Sequence, residues 1–155
     1  MKKVVLISCS AKKLKVRATA ETLYQSPAFK KSLQYARLLN PDKIFIISAL
    51  HHLLPLDKEV EPYDVTLATV PKKAREKKPN LKILTTPEKK EWGKKVIEQL
   101  KSESDLEKDE FTILAGKEYL KPIQKEIKKI IQPLEGVSQF DRISTLNRLI
   151  SEKSR

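Results

Sequence analysis

The segment Asp57-Lys58-Glu59-Val60-Glu61-Pro62-Tyr63-Asp64-Val65-Thr66-Leu67 sets carboxylates beside an aromatic ring, in a stretch stiffened by Pro62. Cleavage of a glycosidic bond uses this combination. A carboxylate stabilises the positive charge that develops on the sugar or activates water, and a flat ring stacks on a base. Asp64 is the catalytic candidate and Tyr63 the stacking one; the bland alternative is that Asp64 braces the backbone of its own loop. His51, in Ser48-Ala49-Leu50-His51-His52, is a candidate general acid, base or ligand anchor, set against a hydrogen-bonded structural imidazole. Adjacent histidines point in different directions, so at most one of them is expected to enter a site.

A second group is suited to binding. Ser8-Cys9-Ser10-Ala11-Lys12-Lys13 offers hydroxyls, a thiol and two ammonium groups, enough to hold a phosphate or an anionic ring edge; the alternative is a loop returning to solvent. Nearby lysines could activate Cys9, but a cysteine directly after an apolar run also fits inert packing. Ser26-Pro27 reads as a helix start, and a helix N-terminus attracts anions. Tyr24 is either a stacking platform or a core aromatic. Ser48, Gly116 and Tyr119 complete the binding candidates; Gly116 stands where a ligand would approach the backbone. With three glycines, neither a dinucleotide fingerprint nor a phosphate loop is present. One cysteine and two adjacent histidines make no zinc set, so neither a metal nor a cofactor is expected.

These residues need elements to hold them. Val4–Ile7 is a β-branched and leucine run of the kind a buried parallel strand requires. Ser8 to about Thr22 reads as a loop. A helix is expected from Pro27, capped by Ser26, with Phe29, Leu33, Ala36 and Leu39 as its stripe. Lys43–Ser48 is a second strand, followed by a long irregular segment from Ala49 to about Pro87. Thr86 and Pro87 read as the start of a helix with Trp92, Val96, Ile97 and Leu100 on its inner face. Ser102–Asp109 is a charged connection, Phe111–Ala115 a third strand, Leu120–Ile131 a basic amphipathic helix, and about Gln139–Ser151 a last helix. The alternation implies right-handed crossovers and a mostly parallel sheet covered on both faces, with residues 1–155 as one α/β domain. In such sheets ligands sit beyond the carboxyl ends of the strands. Ser8–Lys13, Ser48–Asp64 and Gly116–Tyr119 all fall there.

The chain has 155 residues, with 32 Lys and Arg against 20 Asp and Glu, a formal charge of +12. That favours a polyanionic partner, DNA or RNA; the alternative is a surface simply coated with Lys and Glu. Val4–Ile7 is too short for a signal-peptide core or a membrane span, so a cytoplasmic location without membrane attachment is expected. Oligomeric state is not legible.

Taken together, the motifs resemble the domain-of-unknown-function family 6884. The resemblance rests on Ser8, Cys9, Lys12 and Lys13; on Leu23, Tyr24, Ser26, Pro27, Phe29, Tyr35 and Ala36; and on Ser48, Ala49, His51, Leu53 and Leu54. It continues through the run Glu61-Pro62-Tyr63-Asp64 with Thr66 and Leu67, and through Gly116, Tyr119, Pro133, Leu134 and Gly136. Leu50 and His52 depart from it, standing where the pattern has lysine and glycine. The order of motifs is similar to the uracil-DNA-glycosylase-like fold, which implies a three-layer α/β/α domain with a short, mostly parallel four-stranded sheet. The first stretch is also similar to the core domain of archaeosine synthase. Both likenesses imply action on a nucleobase, most directly as an N-glycosidase on DNA or RNA. The alternatives are a non-catalytic nucleic-acid or nucleotide-binding module and an enzyme of free nucleosides.

Overall fold

The computed structural model describes residues 1–154; Arg155, the last residue of the expected single domain, lies outside the described residues. In chain order the elements are β1 (Lys3–Ser8), β2 (Ala18–Thr19), α1 (Ala20–Leu23), α2 (Pro27–Leu38), β3 (Lys43–Ser48), β4 (His52–Pro55), β5 (Glu59–Val60) and β6 (Val65–Thr66). There follow α3 (Lys72–Lys77), β7 (Lys82–Ile83), α4 (Thr86–Glu103), β8 (Glu110–Leu114), α5 (Lys117–Leu120), β9 (Lys129–Ile131) and α6 (Arg142–Lys153).

Five strands form the main sheet in the order β4-β3-β1-β8-β9. β1 is central and parallel to both neighbours, with Ile7 opposite Ile46 on one side and Leu114 on the other. This register brings the carboxyl ends of β1, β3 and β8 to one edge. Because successive side chains alternate across a strand, Val4 and Leu6 enter one core while Val5 and Ile7 enter another. The first core takes Trp92, Val96, Ile97 and Leu100 of α4. The second takes Phe29, Leu33 and Ala36 of α2 and Leu146 of α6. Among the described residues no helix is long and apolar enough to cross a membrane.

Local chemistry explains most boundaries. The Ser26 hydroxyl accepts from the Phe29 amide at 3.1 Å and Pro27 occupies the first turn, so α2 starts as expected. α4 is capped one residue earlier than expected, by Thr85, which exchanges hydrogen bonds with Glu88 in a capping box. The sheet has five strands rather than four. One strand not located in the sequence is β4, which folds back antiparallel on β3 with Ser48 opposite His52. The segment Ala49–Pro87 is therefore not wholly irregular. It contains this hairpin strand, α3 and three short strands, with β5 pairing β2 and β6 pairing β7. Likewise the expected loop Ser8–Thr22 holds β2 and the start of α1.

The largest correction concerns Leu120–Ile131, which is not a helix. α5 ends at Leu120, a single 3-10 turn follows, and Lys129–Ile131 is the edge strand β9, parallel to β8. Ile123 and Ile127 still reach the first core, from an irregular chain that passes closely under α4. A side chain at Gly93 of α4 would collide with the backbone of Pro122. The last helix begins at Arg142 after a 3-10 turn over Gln139–Asp141.

His52 has φ +62°, a left-handed conformation that side chains disfavour by about 1 kcal/mol and glycine adopts freely. It follows the three-residue turn of the β3–β4 hairpin, where such a position is common. His52→Gly is therefore expected to raise stability by up to about 1 kcal/mol in urea unfolding. A loss of that size would mean that the imidazole contributes packing that outweighs the backbone strain.

Candidate functional site

At the carboxyl edge, Ser48 is fully buried at the end of β3 and is bonded from three directions. Its hydroxyl accepts from the His51 amide at 3.0 Å and shares a hydrogen bond of 2.7 Å with the Tyr63 hydroxyl. Its carbonyl accepts from the Trp92 indole at 2.8 Å. The Tyr63 hydroxyl also bonds that of Tyr24, which is fully buried. A second set lies beside the first. The Cys9 sulfur is 3.4 Å from the Tyr119 hydroxyl, which also approaches the Thr66 hydroxyl at 3.3 Å and accepts from the Leu67 amide at 3.4 Å. Cys9 itself prolongs the β1–β3 ladder, its amide donating to the Ile47 carbonyl at 3.2 Å.

Lys13 is placed by backbone pairing. The Leu14 amide donates to the Leu23 carbonyl and the Gln25 amide to the Lys12 carbonyl, so residues 12–14 run along 23–25 with Lys13 beside Tyr24. Its ammonium lies 4.4 Å from the Tyr63 ring centroid and 5.8 Å from that of Tyr24. Burial lowers the Lys13 pKa; the charges of Cys9 and Asp64 oppose that shift and Lys78 adds to it. Asp64, Cys9 and the end of α3 are thus all electrostatic neighbours of one ammonium. Burial raises the pKa of Tyr24, Tyr63 and Tyr119, and the charge on Cys9 raises each further. The phenols therefore stay protonated at neutral pH. His51 packs edge-on against Tyr63, with ring centroids 5.3 Å apart. Burial lowers its pKa, with Lys58 adding to the shift, and its Nε2 is buried with no hydrogen-bond partner among the described residues.

Of the residues proposed from sequence, Cys9, Lys13, Tyr24, Ser48, His51, Tyr63 and Tyr119 come together here. Ser8 is half-buried at the end of β1. Ser10 turns its hydroxyl to the Lys12 carbonyl at 3.2 Å, and Lys12 is exposed. Ser26 uses its hydroxyl as the α2 cap. Tyr24 has no exposed face for a base, because its ring packs into the second core against Phe29. Asp64 is exposed, with no side-chain hydrogen bond or ion pair recorded among the described residues; its backbone carbonyl accepts from the Lys82 amide. Gly116 lies under the side chain of Arg142, a residue the sequence reading passed over. Among the described residues no three His, Cys, Asp or Glu side chains gather as metal ligands would. Two open grooves, of about 400 and 440 Å³, lie elsewhere: one over Pro41–Phe45 and Pro55–Asp57, the other over Lys101–Glu107 and Glu126.

The arrangement sets a network of neutral, mutually bonded hydroxyls under one half-buried ammonium, Lys13, and one exposed carboxylate, Asp64. A family model described as a family of unknown function (DUF6884) matches residues 4–148. No curated protein and no solved structure matches the chain.

Tyr63→Phe would remove one hydroxyl from two fully buried partners, Ser48 and Tyr24. Leaving buried polar groups unpaired costs about 1–3 kcal/mol, so unfolding free energy is expected to fall by that amount. Tyr24→Phe combined with Tyr63→Phe is expected to cost less than the sum of the single changes, since the two share a bond. Strict additivity would mean that the hydroxyls are not coupled.

Proposed function

The chain belongs to the family of unknown function DUF6884, and we propose that this member is a nucleic-acid-acting enzyme that cleaves the N-glycosidic bond of a nucleobase. One observation carries the reading. The Lys13 ammonium lies 4.4 Å from the Tyr63 ring centroid and feels the charge of the exposed Asp64 and that of Lys78, the residue after the exposed basic helix α3. A polyanion gripped by α3 would deliver a base to Lys13 and Asp64. We also propose the uracil-DNA-glycosylase-like three-layer arrangement; α4 on one face of the sheet and α2 with α6 on the other support it.

In this reading the lysines hold phosphates and release counterions. The target nucleotide leaves the stack, which exposes its glycosidic bond. Tyr63 and the unpaired Nε2 of His51 meet the base, and the Lys13 ammonium donates to its edge. The bond between sugar C1′ and base nitrogen breaks, a water oxygen bonds to C1′, and the base departs with the proton that water gives up. Asp64 stabilises the positive charge on the sugar, which is larger in the transition state than in the ground state. A second reading, a binding module without catalysis, is favoured by one fact: Ser48, Tyr63 and Tyr24 already satisfy one another.

The test is mass spectrometry of DNA and RNA, modified bases included, after incubation with the protein. Released base and abasic sugar are expected. Asp64→Asn is expected to slow single-turnover release by on the order of 10² or more. Its melting temperature and nucleic-acid affinity should stay close to those of the parent, because the side chain is exposed and makes no hydrogen bond recorded among the described residues. Binding without release would select the second reading, and full activity in Asp64→Asn would remove Asp64 from catalysis.

A further inference from the structure

Arg142 opens α6 and reaches back over Gly116, the N-cap residue of α5 after β8. A Cβ on Gly116 would lie 2.8 Å from the Arg142 Nη2, so the guanidinium rests directly against the glycine and would have to shift if a side chain stood there. Its Nε is buried and has no hydrogen-bond partner among the described residues. Arg75 is exposed and unpaired among the described residues, so its charge is met by water; three other arginines meet theirs with carboxylates. Arg17, Arg37 and Arg148 are more than half exposed, and each pairs with a glutamate, Arg17 with two. Arg142 is half-buried and takes part in no ion pair among the described residues.

We infer that Arg142 is an anion-binding residue at the carboxyl end of β8, placed to take a phosphate group. A half-buried guanidinium whose Nε lacks both water and a hydrogen-bond partner, with no counter-charge beside it, is costly, and an arriving anion offsets that cost. Its planar fork of donors matches a phosphate in two-point geometry. Burial lowers its pKa, in keeping with a charge that lacks compensation. The position also fits. Leu114 of β8 pairs with Ile7 of β1, so Gly116 lies on the same edge of the sheet as Cys9, and the chain around it carries a formal charge of +12 that draws phosphates in. That the phosphate belongs to a nucleic acid rests on the reading above; the anion site itself does not.

The experiment measures melting temperature and calorimetric binding of inorganic phosphate, at ionic strength matched with chloride, for the parent, Arg142→Gln and Arg142→Lys. Phosphate is expected to bind the parent and raise its melting temperature. Arg142→Gln is expected to melt no lower than the parent in chloride, since it removes an uncompensated charge, and to lose about tenfold or more in phosphate affinity. Arg142→Lys keeps the charge but not the fork and should fall between the two. The inference is overturned if phosphate stabilises both variants as much as the parent, or if both melt well below it in chloride, which would make Arg142 a structural residue. Should Arg142→Gln not fold, Arg142→Lys decides alone: an undiminished phosphate shift in it overturns the inference. A single-stranded oligonucleotide separates the two claims. If it displaces phosphate from the parent, both hold. If phosphate binds and no oligonucleotide competes, the anion site stands and the nucleic-acid reading fails. If the oligonucleotide binds the parent and phosphate stabilises the parent no more than Arg142→Gln, the nucleic-acid reading stands and the anion site fails.

Discussion

Ser48 is the point on which the carboxyl edge depends. A serine at the end of a buried strand cannot reach water, so all its polar atoms must find partners inside the protein. They find them on three different elements: the hairpin turn through the His51 amide, the loop carrying Asp64 through the Tyr63 hydroxyl, and α4 through the Trp92 indole. A second tie, from the Leu53 amide to the Gln99 side chain at 2.9 Å, fixes the same hairpin to the same helix. The loop that carries Tyr63 and Asp64 has only short strands of its own, and this anchoring sets its position.

The electrostatic character of the edge follows from what is buried there. The phenols remain neutral because burial disfavours phenolate, so they add hydrogen bonds without adding charge. Two cations at the edge, Lys13 and Arg142, are half-buried and form no ion pair with a carboxylate among the described residues, whereas Lys89 is paired with Glu118 at 2.6 Å. A half-buried cation without a partner is a poor contributor to stability. Its retention is easier to understand in a ligand-bound state than in the free one.

Much of this was legible in the sequence and some of it was not, for identifiable reasons. The central strands could be read because parallel strands buried on both faces are continuous apolar runs, as Val4–Ile7 and Lys43–Ser48 are. Ser26-Pro27 announced α2 through cap chemistry alone. The segment after Leu120 misled because Ile123, Ile127 and Ile130 fall at helical spacing, while the contacts that decide their conformation, with α4 and β8, are remote in sequence. β4 was hidden by His52, which takes the left-handed turn position without being glycine. At the site, residues next to strand ends could be found by the strand-end rule, but their partners could not. Nothing in the order of residues says that Tyr24 bonds Tyr63, or that Arg142 lies over Gly116.

The proposed ligand site is the carboxyl edge of the sheet, not the open grooves elsewhere on the surface. Amide chemical-shift mapping during titration with an oligonucleotide tests this directly. Perturbations are expected to concentrate at Cys9, Lys13, His51, Asp64 and Gly116, with the exposed residues of α3 joining at low salt. Perturbations confined to Asp42–Phe45 and Leu56–Asp57, which line one groove, or to Ser104–Glu107, which line the other, would contradict it.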